Sequence, residues 1–196
     1  MSAPATPFVV LGAGGHAAVL VDLIHALGGE VLGLVDADSE HRVLERAPAS
    51  VRLVNGVGSV DLPSLARRRA LFEKFAGRGY HFATLTHPFT AVSPRAVLGA
   101  GAQIMAGAVV QALARIGDNA IVNTRASVDH DCMIGAHVHL APGVVLSGGV
   151  RIEDGVHVGT GAIVKHGVRI GAGALIGAGA LVLRDVAPGE TVKGTR

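Results

Sequence analysis

Leu140-Ala141-Pro142-Gly143-Val144-Val145, Leu146-Ser147-Gly148-Gly149-Val150-Arg151 and Ile152-Glu153-Asp154-Gly155-Val156-His157 are three successive hexapeptides. Each opens on a large aliphatic residue, places Gly three positions later and Val four positions later. The frame extends without a slip back to Val92 and forward to Val182, sixteen hexapeptides in all. Neither a helical nor a simple alternating period describes it; a sustained six-residue period is the mark of a β-helix solenoid. In twelve of the sixteen, the fourth position is Gly, Asn or Asp, the residue types that best tolerate left-handed backbone. One such corner every six residues turns the chain between short flat strands. Three hexapeptides close a triangular coil, so the stretch predicts a little over five coils.

The chain before this stretch has a different pattern. Phe8-Val9-Val10-Leu11, Val31–Val35 and Arg52-Leu53-Val54-Asn55 read as short strands, and His81–Leu85 as a fourth. An apolar run from Ala17 to Leu27 and the segment Leu62–Ala76, with Pro63 in its first turn, read as helices. Alternating strands and helices predict a small parallel sheet with helices packed on it. Gly12-x-Gly14-x-x-Ala17 follows the first strand and opens a helix, and Asp36 ends the next strand. That is the context of a dinucleotide fingerprint. About 80 residues and four strands offer only one mononucleotide half, which suits the diphosphate of one nucleotide held at a helix N-terminus. The expected division is therefore an α/β, Rossmann-like domain over 1–86 and a β-helix over 87–196.

Composition narrows the function classes. The 196 residues carry 49% hydrophobic side chains but five Phe, one Tyr and no Trp, so the core is aliphatic, and 28 Gly fit a chain of many corners. Seventeen basic against fifteen acidic residues leave a net charge of +2, with no basic stripe or aromatic platform for nucleic acid. Arg67-Arg68-Arg69 is the densest cluster and reads as a solvated helix face. A single cysteine, Cys132, allows no intrachain disulfide, which suits a reducing cytoplasm. Met1–Phe8 lacks the pattern of a secretory leader, and apolar runs interrupted by Gly predict no membrane span.

Several segments together resemble the bacterial sugar O/N-acyltransferase family typified by sialic acid O-acetyltransferases and UDP-4-amino-sugar N-acetyltransferases. They are Val10–His16, His87-Pro88, Asn123-Thr124, Val128–Gly135, His139–Gly143 and Ile176–Ala180. The resemblance implies a left-handed β-helix, a homotrimer with acetyl-CoA in the groove between neighbours, and a nucleotide-linked amino sugar as acceptor. The sequence departs from the family where a Gly-x-Pro-Ala-Lys loop is usual; it reads Lys193-Gly194-Thr195-Arg196, which puts contacts to the CoA adenine end in doubt.

His130 falls at a solenoid corner and projects outward, where an imidazole can take the proton of an attacking amine or hydroxyl. Asp131 is the carboxylate expected to orient it and raise its basicity. The resemblance implies that His139 contacts acetyl-CoA near the thioester, that a backbone N–H near Gly148 stabilises the oxyanion, and that Thr160 and Ala178 line the CoA groove. It also implies Gly14, Gly15, His16, Asp36, Gly58 and Asn123 in nucleotide-sugar binding. Lys165, Arg169, Arg184 and Lys193 are further candidates for CoA phosphates. His157, one coil beyond His139 in the same column, reads as a solvated strand histidine. Cys132 reads as a core thiol, which favours direct transfer over an acyl-cysteine route. Two rival classes are a zinc lyase on the same solenoid, which needs three convergent histidines, and a sugar-nucleotide-binding scaffold without turnover. No metal is expected for the acyltransferase.

Overall fold

The computed structural model describes residues 6–36, 38–59 and 61–194. Thr195 and Arg196, and residues 1–5 of the Met1–Phe8 stretch discussed above, lie outside them. The N-terminal part is a three-stranded parallel sheet of order β2-β1-β3, with β1 at Phe8–Leu11, β2 at Val31–Val35 and β3 at Arg52–Asn55. Helix α1, Gly15–Ala26, follows β1; a short α2, His41–Leu44, follows β2; α3, Leu62–Ala76, follows β3. Asp61 caps α3, accepting from the Ser64 N–H at 2.8 Å, and Pro63 sits in the first turn, where its missing N–H leaves no broken bond.

The expected fourth strand is divided. Phe82 makes a single parallel bridge to Leu53. Leu85–Thr86, β4, instead pairs with Gln103–Ile104 and opens the solenoid. From there eighteen two-residue strands, ending at β21 (Thr191–Val192), stack into three parallel sheets of seven, six and five strands. We term these faces I, II and III. Face I carries the strands of Leu85, Gln103, Ile121, His139, His157, Leu175 and Thr191. Face II carries those of Ala91, Val109, Ser127, Val145, Ile163 and Leu181, and face III those of Val97, Arg115, Met133, Arg151 and Arg169. The fold is the α/β domain and left-handed parallel β-helix that the sequence predicts.

The second residue of nearly every strand points inward. Ile104, Val110, Ile116, Val122, Val128, Ile134, Leu140 and their successors form one continuous aliphatic core with the small residues of the corners, Cys132 among them. A column filled only by aliphatic residues packs without polar atoms to satisfy, which explains the scarcity of aromatics. Most aromatic residues sit in the N-terminal domain, where Phe72, Phe75, Tyr80 and Phe82 pack under the sheet.

The two parts are joined by a shared core. Val10, Ala17, Leu20 and Val54 pack with Leu85, Met105 and Ile121 of the solenoid. Beside this apolar contact lies Arg68, fully buried, which corrects the expectation of a solvated helix face. Helix α3 turns it inward while Arg69 stays outside and pairs with Glu73 at 2.8 Å. Arg68 has no carboxylate partner among the described residues; its guanidinium donates to the carbonyls of Asn55 (2.7 Å), Val57 (2.8 Å) and Asn119. Burial pulls its pKa down to about 9. Gln103 donates to the Asn55 carbonyl at 2.9 Å and accepts from the His16 ring at 2.8 Å.

Candidate active site

Face I is covered by the N-terminal domain. A cavity of about 510 Å³ opens between them and runs towards the corner joining faces I and II. It brings together Gly15, His16 and Gly58 from the N-terminal domain with Asn123, His139, Thr160 and Ala178 from the solenoid. Seven of the predicted site residues, drawn from both the sugar and the CoA sets, therefore share one wall system.

Their individual roles differ from simple exposure. His139 is buried at 6%. Its Nδ1 lies 2.8 Å from the Ser59 carbonyl and 2.7 Å from the Ser59 hydroxyl, and its Nε2 lies 3.1 Å from the Asn123 amide nitrogen. Burial pushes its pKa down to about 3, with His157 and Arg68 adding to the effect, so the ring is neutral: Nδ1–H donates to Ser59 and Nε2 accepts from Asn123. His16 is held similarly. Burial first, then the nearby Arg68 charge, lower its pKa to about 4, and the bond to Gln103 pins the start of α1 to the solenoid. His157 is also buried, at 7%, which overturns its reading as a solvated histidine; the N-terminal domain covers the column that carries it.

The backbone supplies donors along the same corner. The N–H groups two residues beyond each inward-pointing residue face outward. Several are capped by carboxylates: Ala100 by Asp118 and Ala136 by Asp154, both at 2.8 Å. Those of Gly148, Thr160 and Ala178 have no acceptor among the described residues. Unpaired N–H groups at an open corner are ready donors for carbonyl oxygens.

Gly14 and Asp36 fall on the other side of the glycine loop. They line a second cavity of about 350 Å³ with Gly12, Arg67 and Lys74, outside the carboxyl ends of the strands where ligands of open α/β sheets bind. Gly12 has φ +113°, and a Cβ there would meet the Gly56 carbonyl carbon at 3.0 Å. Gly14 caps α1 without a side-chain hydrogen bond, so the first-turn N–H groups face this cavity's mouth unblocked. Asp36 accepts from Ser39, which holds its carboxyl below the usual range.

His130 lies in neither cavity. It stands at the corner between faces II and III, its side chain 55% exposed. Asp131, at φ 58°, turns its carboxylate onto His130 Nδ1 at 2.7 Å. That hydrogen bond, with the charge of Asp129 behind it, holds the His130 pKa above its ordinary value. Nδ1–H donates to the carboxylate, leaving Nε2 as the free base. Gly148, one coil on, has no side chain to obstruct it: a Cβ there would stand 2.6 Å from His130 Nε2. His130, Asp131 and Gly148 thus form one unit, apart from the residues of the larger cavity.

Other candidates are engaged elsewhere. Arg169 pairs with Glu153 and Arg184 with Glu190. Cys132 is in the core, and burial raises its pKa to about 11, which keeps it a thiol. Among the described residues no three of His, Cys, Asp or Glu are grouped to hold a metal ion, and His130 and His166 approach only to 6.4 Å between ring centres. No helix is long and apolar enough to cross a membrane among the described residues. Ser59, Gln103 and Arg68 were not legible as site partners in the sequence, since Ser59 and Gln103 act on residues more than forty positions away and Arg68 joins Asn55 and Val57 to the distant Asn119.

Known proteins share this fold. The bacterial transferase hexapeptide family model matches residues 113–148 and 149–184. The acetyltransferase domain of PglB from Neisseria gonorrhoeae FA1090, solved with acetyl coenzyme A, is 36% identical over 96% of both chains, with a TM-score of 0.88. PerB from Caulobacter crescentus, solved with CoA and GDP-perosamine, is 36% identical over 96% of this chain and 94% of its own, at 0.90. WeeI from Acinetobacter baumannii AYE shares the fold at 23% identity and a TM-score of 0.87. Curated protein sequences give no match. The chain belongs to the hexapeptide-repeat sugar acyltransferases, acetyl-CoA-dependent enzymes built on a left-handed β-helix.

Proposed function

We propose that the protein moves an acetyl group from acetyl-CoA to the amine of a nucleotide-linked 4-amino-dideoxy sugar, in the cytoplasm, as a homotrimer. The observation that carries this reading is the larger cavity, where glycine-loop residues of a nucleotide-binding domain meet the unpaired corner N–H groups of Thr160 and Ala178. A nucleotide diphosphate would rest on the α1 N-terminus beside Gly14, with Asp36 at the nucleoside. The sugar would pass Gly15, His16 and Gly58 towards Asn123. The pantetheine arm would follow the corner past His139, Thr160 and Ala178. The resemblance of the chain to PerB, solved with CoA and GDP-perosamine, supports an amino sugar.

What one copy lacks supports the trimer. The cavity lies at the corner between faces I and II, and the base at the corner between II and III. The outer positions of face II form an apolar stripe, with Val145, Ile163 and Leu181 exposed at 41%, 46% and 57%. A cyclic assembly through face II sets one corner of each copy against the other corner of the next and joins His130 to a neighbour's cavity. In that site the sugar amine attacks the thioester carbonyl carbon directly. His130 Nε2 takes the amine proton, the Gly148 N–H donates to the oxyanion, and the carbon–sulfur bond breaks to release CoA. Positioned proton transfer of this kind contributes about 10²–10⁴-fold.

The test is turnover of acetyl-CoA with UDP- and GDP-linked 4-amino sugars and with sialic acids, followed by mild alkali on the product. An alkali-stable amide with an amino sugar is expected. An alkali-labile ester from sialic acid would replace this reading with O-acetylation, and ligand binding without turnover would replace it with a scaffold.

A further inference from the structure

His157 stands on face I between His139 in the coil before and Leu175 in the coil after. It lines the same cavity as Thr160 and Ala178. Its Nδ1 is enclosed and has no hydrogen-bond partner among the described residues. Native structures pair nearly all buried polar atoms, so an unpaired one calls for a reason. Nε2 is not enclosed, and nothing among the described residues bonds it either.

The contrast with His139 gives that reason. The rings of the two histidines meet edge-on, centres 5.1 Å apart. His139 has both nitrogens occupied, by Ser59 and Asn123; as a neutral ring it has no further hydrogen bond to offer. His157 has its full capacity free. Burial disfavours its charged form as well, so it carries one N–H. An enclosed orphan N–H is rarer than an enclosed orphan acceptor, which puts the proton on Nε2, at the cavity.

The occupant follows from position along the solenoid axis. The N-terminal domain engages the earlier coils, His16 at Gln103 and Ser59 at His139. His157 lies beyond them, level with the corner N–H groups assigned to the acyl donor. A neutral donor suits the uncharged amide and thioester carbonyls of that arm. We propose that His157 donates a hydrogen bond from Nε2–H to a carbonyl of the pantetheine–thioester arm of acetyl-CoA, the contact that family resemblance gives to His139. This rests on the acetyl-CoA reading of the cavity. His139 then serves as a fixed wall held by Ser59.

Calorimetric binding of acetyl-CoA to the intact protein, with thermal unfolding alongside, tests it on His157→Phe and His157→Gln. Phe keeps the ring and removes both nitrogens. Its Kd for acetyl-CoA is expected to rise about tenfold, the worth of one buried hydrogen bond, while the unfolding midpoint holds or rises because the orphan atom is gone. Gln restores an N–H donor and is expected to stay within about threefold of the parent. The proposal is overturned if Phe binds acetyl-CoA like the parent, if Gln binds as weakly as Phe, or if the midpoint falls with the affinity. A parent that binds no acetyl-CoA removes the reading of the cavity itself, and this contact with it.

Discussion

At His130, the proposed general base, two features stand out: a carboxylate 2.7 Å from Nδ1 and a glycine facing Nε2. The first raises the pKa of the ring, and a general base acts only when deprotonated, so the rate should climb with pH through a limb above the ordinary histidine value. Asp131→Asn removes the cause of the shift. The acid limb of the kcat/KM profile is expected to move to lower pH, and an unmoved limb would show that Asp131 does not tune the base. Gly148→Ala places a methyl carbon on the position that Nε2 needs. It is expected to lower kcat by one to two decades with the fold intact, measured by turnover beside circular dichroism. His130 and Asp131 were legible in the sequence as neighbours at one corner of the repeat, whereas Gly148 entered only through the resemblance to the family. Ser59 and Arg68 were not legible. The Ser59 partner is set by how the N-terminal domain seats on face I, and Arg68 is turned inward by the packing of α3 on β3 and the solenoid; a one-dimensional period carries no information about either.

Among the elements, the corners show local preference yielding to the stack. Leu113, Arg125 and His137 break the Gly/Asn/Asp rule yet adopt φ of 65°, 55° and 58°. Hydrogen bonds from coils above and below leave them no other geometry: Arg125 donates to the Ala106 carbonyl at 3.0 Å and His137 to the Asp118 carbonyl at 2.8 Å. Left-handed backbone costs a branched residue about 1–2 kcal/mol. Leu113 is 47% exposed and loses little packing on truncation. Leu113→Gly is therefore expected to raise stability by about 1 kcal/mol in urea unfolding; a loss would mean that its side chain is covered in the assembly. The solenoid was readable strand by strand because six residues determine each corner. The segment 81–85 was not, since its apolar pattern fits either a sheet or a first coil, and only the neighbours of Phe82 and Leu85 separate the two.

For the whole molecule, the junction between domains carries two buried histidines that make its stability depend on pH. His16 and His139 have folded pKa values of about 4 and 3, below the usual value of about 6.5 for a histidine in an unfolded chain. The unfolded state then binds more protons, so stability is complete above that value and falls as pH drops towards the folded ones. Each group contributes about 1.4 kcal/mol per pH unit. Urea midpoints should fall steeply through this window, and a flat profile would show that the junction opens before the histidines protonate. The apolar stripe of face II makes a separate prediction. If the proposed trimer forms through this stripe, Ile163→Arg should yield monomers by light scattering and abolish turnover while each copy stays folded; a monomeric, fully active variant would show that a single copy holds the whole site.

The most direct measurement is free-thiol release from acetyl-CoA with a GDP- or UDP-linked 4-amino sugar, the parent beside His130→Ala. Turnover in the parent, reduced by two or more decades in the variant with acetyl-CoA binding unchanged, is the predicted result. A variant as active as the parent would contradict the account, because the imidazole whose Nε2 faces Gly148 would then be dispensable.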